Sequence, residues 1–297
     1  MTLQNSIPEE YKDHVSPEKD WKEIVAWVSD LPPLPHVAAQ ALTLIEDPDT
    51  TAGKLSQLLG QDAALVSRVL KIANSAMFSR QREISTINQA IMTIGFKTLK
   101  GIIVAATLRQ LNRKFGPIEK MIWENSTFTS ISARIAAAHM KKPYVEEIFL
   151  FGLLHDLGKL VLMRQIPKEY EEVIKKTAEG KTFNEMEQAS FGFAHPLIGA
   201  LVAKKWNFSG DTCQVILHHH DTVPEKIENE LQEKTLLIAL ADLIGHASGS
   251  GHQEGYPDVN PEIEKIAKLF DLTPEDVATI KTKSEEMFTE IGSVFMS

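Results

Sequence analysis

Apolar residues recur at helical spacing along almost the whole chain. No segment alternates apolar and polar residues with the period of two that a half-buried strand requires. That periodicity confines the chain to an all-α fold. Trp21, Ile24, Val25 and Val28 share one helical face, as do Val37, Ala41, Leu44 and Ile45, and then Leu65, Val69, Ile72 and Ala73. Breakers separate these faces: Leu31-Pro32-Pro33-Leu34-Pro35, Asp47-Pro48-Asp49, Gly60 and Gly95. Proline lacks the amide and restricts its predecessor, and glycine ends helices at little steric cost. Ser16-Pro17-Glu18 reads as the start of the first helix, Asp62 as a cap, and Asn260-Pro261 and Thr273-Pro274-Glu275-Asp276 as the starts of two closing helices.

The polar stretch Asn112 to Pro117 carries both Gly and Pro and divides the chain. The expected organisation is a flexible arm over 1–19, an N-terminal helical lobe over 20–115 and a second helical lobe over 116–290, the two lobes packing as one unit. Glu146 to Met163 is apolar enough to be buried. Gly245 to Val259, with four glycines, reads as one long loop.

Within that scaffold three clusters of histidine and aspartate stand out: His155-Asp156, His195, and His218-His219-His220-Asp221, followed by Asp242 in an apolar run. Taken singly, a His-Asp pair reads as hydrogen-bonded core residues, and the triple histidine as a solvated face. As an ordered set they supply neutral imidazoles together with a carboxylate able to bridge two ions, which is what a transition metal takes. Asp156 and Asp242 sit in apolar surroundings, where an unpaired carboxylate is costly. Lys159, on the face of His155-Asp156, is placed to meet a phosphate oxygen.

The chain has 297 residues, 43% of them hydrophobic and 24% charged, with a net charge of −9. That balance argues against non-specific nucleic-acid binding and against an anionic membrane surface, since phosphates would meet a field of their own sign. The single cysteine, Cys213, cannot form an internal disulfide, and the N-terminus has no apolar signal core. Both suit a cytoplasmic location. The apolar run Ile148 to Met163 is interrupted by His155, Asp156 and Lys159 and is not expected to span a membrane.

Gly152-Leu153-Leu154-His155-Asp156-Leu157-Gly158-Lys159 resembles the signature of the HD superfamily of metal-dependent phosphohydrolases. The stretch Gly192 to Trp206 resembles the next block of its HDOD branch. So do the upstream blocks Leu31 to Pro35, Arg68 to Ser75 and Ala90 to Gly95. The resemblance covers roughly residues 21–245 and implies an N-terminal helical lobe packed on an HD-like helical bundle. It also implies a divalent transition metal (Fe, Mn, Zn or Ni), with His155, Asp156 and Asp242 on a first ion and Asp156, His195, His219 and His220 on a second. The histidine that active members carry on the preceding helix is replaced here by Asn125, a far weaker ligand. Branch members that lack such ligands serve as bacterial signalling modules. The resemblance therefore implies a regulatory module with a degenerate site, acting through signalling proteins or sensing a small phosphate-containing or nucleotide ligand. The alternative is a working phosphohydrolase acting on a phosphomonoester, a nucleotide or a cyclic dinucleotide, with Lys159 steadying the phosphate. Gly255-Tyr256-Pro257 stands 35 residues after His220, away from the place of a GYP motif, and reads as coincidence.

Overall fold

The structure, a computed structural model, describes residues 7–31, 33–78, 83–111 and 116–296, with the side chains of 109–111 and 296 outside the description. Among the described residues there are fifteen α-helices, one 3-10 helix (Glu9–His14) and no strand. The first five are α1 (Trp21–Ser29), α2 (His36–Glu46), α3 (Ala52–Leu59), α4 (Ala63–Ala73) and α5 (Ile87–Leu111). Then come α6 (Pro117–His139), α7 (Val145–Leu154), α8 (Leu157–Gln165), α9 (Pro167–Thr177) and α10 (Phe183–Phe191). The last five are α11 (His195–Lys205), α12 (Gly210–His218), α13 (Glu230–Ala247), α14 (Asn260–Leu269) and α15 (Pro274–Met296).

Local chemistry explains most of these boundaries. The Asp62 carboxylate accepts the Leu65 amide at 2.9 Å, and Thr273 and Asp276 cap one another reciprocally. Gly95 breaks α5 with φ 75° and ψ 169°. The first helix does not begin at Ser16-Pro17: its cap is Asp20, whose carboxylate accepts the Lys22 amide at 2.9 Å. Ser16 is held elsewhere, its amide donating to the Gly192 carbonyl at 2.7 Å beside a bridge between Val15 and Phe193. The stretch 112–115 of the expected division lies outside the described residues, as do residues 1–6 of the expected arm.

Helix α6 packs against α7, α13 and α15, while α11 packs against α8 and α12. One apolar cluster runs from Tyr11 to Phe295 through both halves of the chain, and a second, from Phe128 to Ile280, fills the space between α6, α7, α13 and α14. The residues Ile87–Leu108 are long and apolar enough to cross a bilayer, but 67% of that window is buried inside the protein and Gly95 interrupts it. The stretch Glu146 to Met163 is not one helix. It breaks at His155-Asp156, between α7 and α8. Gly245 lies inside α13, and the loop starts only after Ala247.

Candidate metal centre

The break between α7 and α8 sets the geometry of the site. His155, still at helical φ −54° and ψ −39°, and Asp156 sit in the turn, and their side chains meet, Nε2 to Oδ2 at 3.3 Å. Behind them Gly158 lets α8 meet the start of α11: a Cβ there would stand 1.9 Å from the His195 carbonyl oxygen. His195 opens α11, His219 and His220 follow the end of α12, Asp242 lies within α13 and Asn125 within α6. His155, Asp156, Lys159, His195, His219, His220 and Asp242 therefore meet in one interior space, whereas His218 and Asp221 of the same histidine cluster lie nearer the surface.

The ligand-bearing atoms fall into two groups that share Asp156. In one, Asp156, His195, His219 and His220 each bring a ligand atom within 4.8 Å of the others; in the other, His155, Asp156 and Asp242 do. Backbone and side-chain acceptors orient the rings. His155 Nδ1 faces the Gly152 carbonyl at 2.7 Å and His219 Nδ1 the Ile216 carbonyl at 2.7 Å, which turns both Nε2 atoms inward. His195 is fixed by Glu187, a residue that sequence reasoning missed. The Glu187 carboxylate accepts the His195 amide at 2.7 Å, faces its Nδ1 at 2.6 Å and accepts the Tyr170 hydroxyl. Its only signal is the second of two acids in a short helix whose neighbours give no hint of burial, yet it is fully buried.

Charge divides the two groups. Burial pushes the His155 imidazole down, but Asp156 and Asp242, at 3.3 and 3.2 Å from its Nε2, overcome it and raise it to about 10. Burial also pushes down His219 and His220, and here neighbouring imidazoles add to the effect, so both stay neutral. Burial lowers His195 as well, but Glu187 reverses it and the net shift is upward. Asp156 and Asp242 are held well below the carboxylate range, the cost of burial being outweighed by His155 and Lys159 for the first and by His246 and His155 for the second.

Asn125 sits between Asp156 and Asp242, its Nδ2 occupied and its Oδ1 buried without a hydrogen bond. Nδ2 donates to Asp242 Oδ1 at 2.7 Å and to Asp156 Oδ2 at 3.2 Å. Gly251, at φ +79°, closes over it; a Cβ there would lie 2.5 Å from Asn125 Cγ. Lys159 is 1% exposed, donates to Asp156 Oδ2 at 2.9 Å and lies over the Phe183 ring at 4.3 Å. On the opposite side Asp156 Oδ1 and His220 Nε2 are buried without a hydrogen bond, although His195 Nε2 stands 3.2 Å from that oxygen. Orphaned atoms of this kind, in a set of three imidazoles and one carboxylate, fit a divalent transition ion.

A cleft of about 690 Å³ leads to His219, His220 and Asp242. Tyr256 and Pro257 line it, with Tyr256 stacked on His252 at 4.6 Å and packed on His246 at 4.6 Å and on Phe183 at 5.9 Å. The loop read as coincidental in the sequence thus forms a wall of the site. Cys213 is buried, and burial raises its thiol, as expected of an inert packing residue.

The profile of the HDOD domain matches residues 31–222. A solved HDOD domain protein of unknown function from Geobacter sulfurreducens is 25% identical, with a TM-score of 0.73 over 92% of this chain and 95% of that one. A Shewanella amazonensis SB2B protein that bears the name of a phosphohydrolase is 24% identical, with a TM-score of 0.71 over 92% of this chain and 97% of that one. An uncharacterized protein of Treponema pallidum (strain Nichols) is 26% identical over 196 residues, which is 65% of this chain but 38% of that protein's length.

Proposed function

This chain belongs to the HDOD domain family, and we propose that it acts there as a non-hydrolytic regulatory module. In this reading one divalent transition ion rests on Asp156, His195, His219 and His220. The observation that carries the reading is the Asn125 amide. It bridges Asp156 and Asp242 where a working two-metal site needs an imidazole, and so holds both carboxylates by donated hydrogen bonds. Lys159 adds a fixed positive charge to the same Asp156 oxygen. The ammonium thus brings positive charge to the first-ion position from within the chain, and the neutral amide adds two donated hydrogen bonds. When bound, an ion at the other position would supply Lewis acidity and an acidified water.

The cleft supports the regulatory reading over the hydrolytic one. None of its lining residues is Lys or Arg, whereas Glu185, Asp221, Asp242, Asp258 and Glu262 all contribute. A phosphodiester or nucleotide would enter against a field of its own sign. A signalling role through protein partners is consistent with the overall charge of −9. The phosphohydrolase reading keeps one point in its favour, the complete second-ion set at the foot of the cleft.

The test is to load the purified chain with Mn, Fe, Zn or Ni and offer it phosphomonoesters and cyclic dinucleotides. Binding of metal without turnover is expected. Turnover that Asp156→Ala abolishes would overturn the proposal, as would a chain that binds none of the four metals.

A further inference from the structure

A third group of metal-ligating side chains lies outside the buried centre. His14, His218 and Asp221 each bring one ligand atom within 4.8 Å of the others. His14 ends the 3-10 helix Glu9–His14, and His218 ends α12, so two segments distant in sequence meet here. The meeting is held in place by packing. Tyr11 is buried and stacks on Trp21 at 5.7 Å, and Val15 pairs with Phe193. Gln214 Oε1 accepts from His218 Nε2 at 3.1 Å, which leaves Nδ1, 2.7 Å from Asp221 Oδ2, as the atom that would take an ion. The His14 ring stands edge-on to the His218 ring, 5.2 Å away, and among the described residues its side chain makes no hydrogen bond.

Two imidazoles and a carboxylate are a donor set for a borderline ion such as Zn²⁺, and a poor one for Mg²⁺ or Ca²⁺, which take oxygen. We propose that His14, His218 and Asp221 form a second, solvent-accessible transition-metal site that clamps the segment Glu9–Ser16 onto the end of α12. His218 and Asp221 also line the cleft, and His219 and His220 lie between them in the chain. Occupancy of the surface site thus fixes the backbone that presents two of the buried imidazoles. This site does not depend on the function proposed above, since its three residues are separate from the buried set.

The test is a titration of the full metal-free chain with Zn²⁺ alone, followed by brief chelation, for the wild type, His14→Ala and His219→Ala. The wild type should bind one equivalent that chelator strips quickly. His14→Ala should lose that equivalent, or bind it at least about tenfold more weakly, and His219→Ala should keep it. The same fast equivalent in His14→Ala, at an affinity within about twofold of wild type, overturns the site. Limited proteolysis reads the clamp separately: Zn²⁺ should slow cleavage within residues 7–20 of the wild type but not of His14→Ala. Equal cleavage rates with and without Zn²⁺ in the wild type overturn the clamp. Matching melting curves of wild type and His14→Ala in chelator establish that the variant is folded.

Discussion

Replacing Gly158 with alanine tests how the site is built. The added Cβ would stand 1.9 Å from the His195 carbonyl oxygen, 2.8 Å from its carbon and 2.9 Å from the Gly199 nitrogen. All three are backbone atoms, so no side-chain rotation relieves the contact. Reaching ordinary van der Waals separation requires α8 and α11 to part by about 1.5 Å. Overpacking in a close-packed interior costs about 1–3 kcal/mol, and a clash with backbone belongs at the upper end. Against a typical stability of about 5–15 kcal/mol that is a large loss, worth about 6 °C or more in melting temperature. The shift also moves His195, whose Nε2 now lies 3.2 Å from Asp156 Oδ1, so metal affinity should fall with stability. Gly210→Ala is the control, because a Cβ there meets nothing within 4 Å. Urea denaturation read by circular dichroism measures both variants. Gly158→Ala within about 0.5 kcal/mol of wild type would refute the close approach of α8 to α11.

Asn125→His puts an imidazole against Asp156 and Asp242 and should raise the bound metal above the wild-type stoichiometry by elemental analysis; unchanged metal content would mean that position 125 does not face the ion. Glu187→Ala strands the Tyr170 hydroxyl and both donors of His195, so it should cost about 3–5 kcal/mol and weaken metal binding by about 10–100-fold; a melting curve like that of wild type would contradict this. Stability of the metal-free chain should fall as pH climbs from about 6.5 towards 10. His155 is raised to about 10, the pull of Asp156 and Asp242 overcoming burial, so its contribution is complete below the unfolded value and lost as the folded value is passed. A urea midpoint that stays flat from pH 7 to 10 would exclude an imidazolium at His155.

The helical periods and their breakers made most of the fold legible, because a helix and its caps are local: Asp62, Gly95 and the Thr273–Asp276 pair do what their neighbours in sequence dictate. What escaped depends on distant partners. Ser16 resembles a helix start but is held by Gly192, and the break at His155-Asp156 falls in a run with no proline to mark it. The histidines and aspartates of the two ligand groups were all visible, since buried charge in apolar helices is conspicuous, but His246 beside Asp242 was not. Glu187 was not, for nothing local shows which of the two acids in α10 supports a histidine eight residues on. Tyr256 escaped for the opposite reason: its tripeptide was noticed but stands far from the histidines in sequence, and only the return of the loop after α13 brings it to them.

Crystals soaked in Zn²⁺ or Mn²⁺ and measured at the metal's absorption edge test the central claim most directly. An anomalous peak is expected among Asp156 Oδ1, His195, His219 and His220, with none between Asn125, Asp156 and Asp242, where the Asn125 amide already bridges the carboxylates. A peak beside Asn125, or no peak in the buried space at all, would contradict the account.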